Sequence, residues 1–282
     1  MFHSVDKASG RGQQKAVRWS AVQLVLLVVS AVFGAMDSTA SRGLNIPALL
    51  GWLAMAASLV PTLLLASGSA QRTWYHGRAA AESVKTQAWK YAVRGAPFDV
   101  EQGAEAALAR SLTRILEHVR ETRWEPISVD EQDVITVQMR RLRAAPLGDR
   151  KAAYLNGRID VQRDWYTTRA RQSANSAKLW TAVVVSAILG GLIGGALRGF
   201  GVINFDALGA VAAGAAAAIA WSQLKQSGSL AAAYTLTAHE LALVKSALLS
   251  TEDEASWARA CRDAESAISR EHVMWIARED SA

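Results

Sequence analysis

The chain has little cysteine, little proline and little charge. Its 282 residues include one cysteine, Cys261, and five prolines, and charged residues make up 20% of it. A single cysteine cannot form an internal disulfide, which excludes a disulfide-stapled secreted protein and predicts a reducing compartment for that segment. The hydrophobic content of 51% excludes a disordered chain, because disorder requires low hydrophobicity.

Four long runs without a charged residue hold much of the apolar content. They cover residues 19–36, 43–71, 179–197 and 207–224. A helix crosses the hydrocarbon core of a bilayer with about 20 apolar residues, in a range of roughly 17–25. Each run therefore predicts a transmembrane span. The alternative, which applies most to the Ala-rich last run, is a helix buried in a soluble bundle.

The four spans form two hairpins, because only short loops join the members of each pair. Lys and Arg number four before the first span, 19 between the hairpins and six after the last span, against one in each loop. The positive-inside rule then places both termini and the middle region in the cytoplasm. The net charge of +6 follows from this topology, so no nucleic-acid partner is predicted.

The predicted domains are a cytoplasmic N-terminal tail (1–18), a first transmembrane hairpin (19–71), a cytoplasmic helical region (72–177), a second transmembrane hairpin (178–224) and cytoplasmic C-terminal helices (225–282).

The cytoplasmic regions have helical patterns throughout. Apolar residues recur about 3.6 positions apart over 104–119, 230–248 and 257–275, and no useful length of sequence alternates as a strand does. No helix breaker interrupts the pattern from Asp149 to the end of the third span, which predicts one helix of roughly 70 Å. The fold class is therefore an all-α membrane protein with two transmembrane helical hairpins and cytoplasmic helical regions. Capping boxes at Asp99, Ser128 and Thr251 predict three helix starts.

Motifs for catalysis are missing from the sequence. It contains no HExxH, CxxC, GxSxG or phosphate loop, and no two of its five histidines are four residues apart. We therefore predict that the protein is not an enzyme and that it has no catalytic residue, no bound cofactor and no metal site.

Small residues recur at four-residue intervals in the last two spans. Small residues let helix backbones approach closely in lipid. These positions predict helix packing, either inside the hairpin or between subunits of a homo-oligomer. They are Gly190 with Gly194, Gly191 with Gly195, and Gly209 and Gly214, which pair with Ala213 and Ala210.

Two carboxylates, Asp37 and Asp206, lie at the predicted outer ends of spans. In a ring-shaped homo-oligomer they would form carboxylate rings at an outer mouth, and such rings attract cations. The alternative is that both are ordinary polar loop residues.

Three segments of mixed aromatic and charged residues stand out on the cytoplasmic side. They cover 72–91, 158–170 and 267–280. Trp and Tyr beside Arg near a membrane are typical of interface anchors. The same residues suit a nucleotide, with a ring stacked on the base and Arg on a phosphate.

The residues of these segments resemble the bacterial SLATT family, two-span effector domains associated with SMODS nucleotidyltransferases and SLOG proteins. The similar runs are WYHGRAAAESVKTQAWKY followed by PF, RIDVQRDWYTTRA with Asn175 beyond it, and AISREHVMW. The resemblance covers about residues 40–280, as two units in tandem, and leaves residues 1–18 outside. It implies a structural or regulatory role for the signature residues, which are Trp74, Tyr75, Arg78, Glu82, Lys85, Trp89, Trp165, Tyr166, Arg270, Glu271, His272 and Trp275.

The resemblance also implies a function. It predicts a pore-forming or membrane-disrupting effector of a nucleotide-activated antiviral conflict system, located in the bacterial inner membrane and gated by its cytoplasmic helices. Its expected partners are the lipid bilayer, further copies of itself, and either a nucleotide second messenger or a partner signalling protein. The alternative is a non-conducting membrane-anchored scaffold that recruits a soluble partner. The second hairpin has few polar residues, which disfavours a wide aqueous pore but allows a narrow one with a hydrophobic gate.

Overall fold

The computed structural model describes residues 2–36, 46–66, 69–121, 134–202 and 207–279. The regular elements in these ranges are all helices, so the all-α prediction is confirmed for the described part of the chain. The helices are α1 (Phe2–Gly34), α2 (Ile46–Ala66), α3 (Ser69–Ala92), α4 (Ala104–Glu121), α5 (Val137–Ala144), α6 (Leu147–Tyr154), a π turn (Leu155–Asp160), α7 (Val161–Gly199), α8 (Ala207–Lys225), α9 (Ser227–Leu249) and α10 (Glu254–Glu279).

Three of the described helices are long and apolar enough to cross a membrane. They contain Val17–Gly34, Ile46–Leu65 and the continuous helical stretch Leu147–Gly199, in agreement with the first three predicted spans. Their large apolar side chains are widely exposed, for example Leu63 at 70%, as a lipid-facing surface requires. The fourth predicted span forms helix α8, and its passage through a membrane stays a prediction.

The chain divides into two compact units. Unit 1 contains Met1–Gln13, Ala70–Ala170 and Ala232–Ala282, and unit 2 contains Gln14–Ser69 and Arg171–Ala231. Unit 2 therefore holds the apolar parts of both helix pairs, α1 with α2 and α7 with α8. Unit 1 holds the charged helices that lie between and after these pairs in the sequence.

Two apolar clusters form the core of unit 1, and they contain most of the residues predicted for the stripes of α4, α9 and α10 whose side chains the structure describes. Leu230, predicted at the start of the α9 stripe, belongs to unit 2. The stripes form because apolar residues at helical spacing lie on one side of each helix. One cluster joins α3, the π turn, α7, α9 and α10, and the other packs α4 against the end of α3 and the segment after it. The first includes Val93, Tyr154, Ile159, Tyr166, Leu241, Leu248, Trp257, Cys261, Ala264 and Ile268, and the second Tyr91, Phe98, Ala104, Leu108, Leu112 and Ile135.

Two helix starts differ from the predicted capping boxes. Helix α4 begins at Ala104, five residues after Asp99, because the chain first makes a turn in which Gly103 has a φ of 75°. That left-handed conformation suits glycine. The box at Ser128 lies outside the described residues.

Helix α10 is capped by Asp253 and not by Thr251. An Asp253 carboxylate oxygen accepts backbone N–H groups of Ala255 at 2.8 Å and Ser256 at 2.9 Å. The Thr251 hydroxyl instead donates to the Leu248 carbonyl at 2.7 Å, at the end of the preceding helix. Asp and Thr are both good N-caps, so the type of residue does not decide between two candidates that are two positions apart.

The single helix predicted over 149–197 is confirmed as a continuous helical stretch, but with one irregular turn. Helix α6 passes through the π turn Leu155–Asp160 directly into α7. A π turn closes its hydrogen bonds over five residues where an α-helix uses four, so it accommodates one extra residue. Such turns are frequent at functional sites.

Replacing Gly95 with alanine should destabilise unit 1. A Cβ on Gly95 would lie 2.8 Å from Cys261 Cβ, so the segment that follows α3 and helix α10 would have to separate. Overpacking of this kind costs about 1–3 kcal/mol, which a denaturant titration in detergent micelles would detect. Gly148→Ala is the matched control, because a Cβ there meets nothing within 4 Å. Equal stability of the two variants would show that the contact can relax.

Candidate functional site

A buried polar network joins residues of the first two segments of mixed aromatic and charged residues, 72–91 and 158–170, to a residue just before the third. Thr86 and Glu82 come from α3, Arg158 from the π turn, and Glu265 from α10 beside the start of the third segment. Arg158 and Glu265 are each only 1% exposed. Charged side chains are seldom buried to this degree unless they are paired, so the network is an unusual polar feature.

The centre of the network is a two-bond ion pair between Arg158 and Glu265. Arg158 Nε donates to Glu265 Oε1 at 3.0 Å, and Arg158 Nη2 donates to Glu265 Oε2 at 2.8 Å. Two parallel bonds match the planar guanidinium to the carboxylate, which fixes direction as well as distance. The pair therefore holds the π turn against α10 in one orientation.

Two hydroxyl groups complete the environment of the Glu265 carboxylate. Tyr154 donates to Oε1 at 2.9 Å and Thr86 donates to Oε2 at 2.8 Å. Each oxygen thus accepts one bond from Arg158 and one from a hydroxyl. The carboxylate of α10 therefore accepts hydrogen bonds from α3, from the end of α6 and from the π turn.

One side of the network is incompletely bonded. Arg158 Nη1 lies 3.7 Å from Glu82 Oε2, and both atoms are buried without a hydrogen-bond partner among the described residues. Unsatisfied buried polar atoms are destabilising. Buried ion pairs in general contribute little net stability and in some proteins fix one conformation against others. The network is therefore a better candidate for a conformational element than for a source of stability.

Aromatic rings surround the network. Tyr154 meets Trp89 and Trp257 edge to face, with ring centroids 5.8 Å apart in both pairs. Further along α7, the Trp165 ring meets those of Tyr166 and of Tyr234 of α9, with ring centroids 5.0 and 5.6 Å apart. These edge-to-face contacts add to the burial of the rings and fill the space between α3, α7, α9 and α10.

The carboxyl end of α3 is held by side chains from other helices. Arg143 donates to the carbonyls of Tyr91 at 2.9 Å and Phe98 at 2.8 Å. The Val93 carbonyl accepts from Arg150 at 3.0 Å and from Trp257 Nε1 at 2.8 Å. These bonds satisfy carbonyls that a helix end leaves unpaired, so α3 ends at a fixed position beside the network.

Burial changes the acidity of two groups near the network. Burial lowers the pKa of the Lys90 ammonium, and the negative charge of Glu265 opposes that change. Burial raises the pKa of the Cys261 thiol well above its usual range, with a further contribution from Glu265. Cys261 is thus an unreactive core residue, since the thiolate is the reactive form.

Cys261 should resist labelling by a maleimide at pH 7.5 while the protein is folded. Its sulfur is buried, and its raised pKa leaves little thiolate. Unfolding in denaturant should make labelling complete, as followed by mass spectrometry. Ser266→Cys provides a control on the same helix, because Ser266 is exposed and its thiol should react at once. Rapid labelling of folded Cys261 would show that α10 opens.

The structure places two of the predicted glycines of α7 against α8. A Cβ on Gly191 would lie 3.3 Å from Val211 Cγ1, and one on Gly195 would lie 3.6 Å from Leu208 Cδ1. A Cβ on Gly190 would meet nothing within 4 Å, and the same holds for Gly214. Of the remaining two positions, Gly194 is half-buried and Gly209 is exposed.

The predicted signature residues are only partly within the described side chains. Glu82 and Trp89 belong to the network and its aromatic surround, Lys85 is half-buried on α3, and Trp165 and Tyr166 pack on α9. The side chains of Trp74, Tyr75, Arg78, Arg270, Glu271, His272 and Trp275 lie outside the described residues, and so do Asp37 and Asp206 altogether.

Sequence reasoning missed the residues at the centre of the network. Arg158 and Glu265 were not singled out, nor was Thr86. The sequence did contain one sign of a buried ion pair. Glu265 lies four residues after Cys261 and three before Ile268, so a carboxylate interrupts the apolar face of that helix. A carboxylate in such a position requires a buried partner. The described residues contain no group of three or more His, Cys, Asp and Glu side chains that could hold a metal ion.

Two family models match the chain one after the other. The SMODS and SLOG-associating 2TM effector domain 3 matches residues 1–151, and the SMODS and SLOG-associating 2TM effector domain 1 matches residues 154–275. The chain belongs to the SLATT family. Neither a curated protein nor a solved structure matches it. The tandem arrangement of two SLATT domains is thus confirmed, and the match begins at residue 1, so the expectation that residues 1–18 lie outside the family was wrong.

The two SLATT domains do not correspond to the two compact units. The boundary between the matches, at residues 151–154, falls inside the continuous helical stretch Leu147–Gly199. Each SLATT domain supplies one apolar helix pair to unit 2 and charged helices to unit 1. Thr86 belongs to the first domain and Arg158, Tyr154 and Glu265 to the second, so the network is built from both.

Proposed function

We propose that this protein is a non-enzymatic membrane effector that conducts ions when its cytoplasmic helices are rearranged. SLATT domains are two-transmembrane effector domains associated with SMODS and SLOG conflict systems. In this proposal the chain lies in the bacterial inner membrane with both termini in the cytoplasm, assembles as a homo-oligomer, and responds to a nucleotide or to a partner signalling protein. Its role is in antiviral defence.

One observation carries this proposal furthest. The helical stretch Leu147–Gly199 begins beside the buried network, contains the π turn, and ends in the apolar segment where Gly191 and Gly195 meet α8. This single continuous helix thus runs from unit 1, which contains the network, into the candidate membrane segment of unit 2. A change in the core can therefore alter the packing of the apolar helix pair.

The test is a measurement of membrane potential in bacterial cells. The chain is expressed from a tightly controlled promoter, with and without candidate SMODS or SLOG partners, and a potential-sensitive dye is followed. Gly191→Leu should abolish depolarisation, because a side chain there meets Val211. Gly199→Leu is the matched control, since the same substitution on the same helix meets nothing within 4 Å and should depolarise as the native chain does.

The results separate a pore from the scaffold alternative. Depolarisation that Gly191→Leu removes and Gly199→Leu keeps supports a pore whose activity depends on the contact between α7 and α8. Absence of depolarisation with every partner tested, in cells whose membranes contain the protein, contradicts the pore. Recruitment of a soluble partner to those membranes would then support the scaffold.

A further inference from the structure

We propose that the end of the α7–α8 pair that carries Trp180 and Trp221 is a binding site for the headgroup of an anionic phospholipid. Lys225 is the main contact of the lipid phosphate and Lys178 is a second cation. This inference rests on the proposed function, because it requires α7 and α8 to cross the bilayer.

Two contacts within unit 2 show that α7 and α8 run side by side in opposite directions. The rings of Trp180 and Trp221 meet with their centroids 6.2 Å apart. The Ser227 hydroxyl, which follows Trp221 in the chain, donates to the hydroxyl oxygen of Ser176, which precedes Trp180, at 3.3 Å. The beginning of the third predicted span and the end of the fourth therefore lie together.

One lysine on each helix borders the span at this end. Lys178 precedes Trp180 by two residues, and Lys225 follows Trp221 by four. By the positive-inside rule this is the cytoplasmic end of both spans. Tryptophan is enriched at the level of the lipid headgroups, so the two rings indicate that both lysines lie at the membrane surface.

The Lys225 ammonium is positioned but keeps its hydrogen-bonding capacity. Its Nζ lies 5.1 Å from the centroid of the Trp221 ring, whose face attracts a cation. An ammonium has three N–H donors, and neither Lys225 nor the exposed Lys178 forms an ion pair with another described residue. The N–H groups of Lys225 are therefore available to phosphate oxygens.

The charges of unit 2 are divided between its two predicted sides. Its two carboxylates, Asp37 and Asp206, belong to the predicted outer loops. Five of its seven Lys and Arg residues lie on the predicted cytoplasmic side, namely Lys15, Arg18, Arg171, Lys178 and Lys225. Unit 2 thus contributes no carboxylate on that side to compete with an anion for these cations.

Exposed leucines beside the lysines favour a lipid over a soluble anion. Leu179 follows Lys178 and is 62% exposed, and Leu224 precedes Lys225 and is 46% exposed. Both lie on the span side of their lysine, where the acyl chains of a lipid begin. A phospholipid covers these side chains with its acyl chains while its phosphate meets the lysines, whereas a nucleotide or inorganic phosphate has no acyl chain.

Lipid binding to the purified full chain tests the site. Native mass spectrometry in mild detergent compares phosphatidylglycerol with phosphatidylcholine of the same acyl chains, and the affinity for the first bound lipid is measured. Phosphatidylglycerol should bind more tightly. Lys225→Gln should weaken its binding about fivefold, the usual contribution of one basic residue near an anionic surface, and should leave phosphatidylcholine unchanged. Equal binding of the two lipids by the native chain would overturn the inference.

Two control variants separate a local site from overall charge. Arg262→Gln removes the same charge from α10 of unit 1, where Arg262 is 50% exposed, and should leave phosphatidylglycerol binding unchanged. Lys225→Arg keeps a cation that binds phosphate and should retain the binding. Elution of each variant as a single peak in detergent checks that it is folded. An equal loss in Lys225→Gln and Arg262→Gln would show that net charge alone attracts the lipid.

Soluble phosphates identify the source of the ligand. Glycerol phosphate and inorganic phosphate, added at the concentration of the lipid, should not displace phosphatidylglycerol, because neither covers Leu179 and Leu224. Displacement by either of them would assign the site to a soluble anion and contradict the lipid.

The outcome does not depend on conduction, so this inference and the proposed function can fail separately. Binding of phosphatidylglycerol that Lys225→Gln weakens, in a chain that does not depolarise cells with any partner, supports the lipid site and contradicts the pore. Depolarisation by a chain that binds both lipids equally supports the pore and contradicts the lipid site.

Discussion

Glu265→Leu is expected to lower the free energy of unfolding of unit 1 by about 3–5 kcal/mol. The substitution leaves the Arg158 guanidinium, which is 1% exposed, without its carboxylate, and leaves the hydroxyls of Tyr154 and Thr86 without their acceptor. A buried charge without a partner is among the most destabilising changes a core can suffer. Denaturant titration in detergent micelles, followed by tryptophan fluorescence, measures the loss.

Two further variants test the cause of that loss. The double variant Arg158→Met with Glu265→Leu removes both charges and should recover most of the stability, because apolar side chains of similar volume often replace a buried ion pair without loss. Asp263→Asn is the matched control on α10, since Asp263 is 68% exposed and its loss should cost no more than about 0.5 kcal/mol. A double variant as unstable as Glu265→Leu would mean that packing, and not charge, decides.

Trp257→Ala is expected to destabilise unit 1 by about 3–5 kcal/mol. The indole is fully buried, contacts the Tyr154 ring edge to face, and donates to the Val93 carbonyl at 2.8 Å. Its removal leaves a cavity among the end of α3, α6 and α10, and a rigid core cannot collapse to fill it completely. The same denaturant titration measures this effect.

Trp257→Phe distinguishes the ring from its hydrogen bond. Phenylalanine keeps most of the buried apolar volume but loses the donor. The Val93 carbonyl still accepts from Arg150 at 3.0 Å, so it stays satisfied, and the lost bond should cost only about 0.5–1.5 kcal/mol. Equal losses in the Phe and Ala variants would contradict the assignment of the larger effect to packing.

The helices were predictable because their signals are local. Charge-free runs of spanning length and stripes such as that of α10 each depend on residues within a few turns of the chain. The family signature added Glu82, Trp89, Trp165 and Tyr166, which the structure places in or around the core of unit 1. Local sequence also predicted the continuity of the helix through Asp149 and beyond.

The centre of the network was not predictable in the same way. The bond between Thr86 and Glu265 joins residues 179 positions apart, and hydrophobic periodicity carries no information about partners at such separations. The π turn was missed for a related reason. A π turn requires no particular residue types, so its sequence looks like that of an ordinary helix. The turn is stabilised by contacts of Gly157, Arg158 and Asp160 with three other helices, and those contacts leave no local pattern in the sequence.

The separation between Thr86 and Glu265 along the chain also decides when their contact can form during translation. A ribosome releases the N-terminal parts of a chain first, so both apolar helix pairs emerge before the carboxylate that fastens the π turn. More than a hundred further residues are translated after Arg158 before Glu265 is added to the chain. The pair between Arg158 and Glu265 can therefore form only after both apolar helix pairs have been translated, and a chain that ends before residue 265 would lack it.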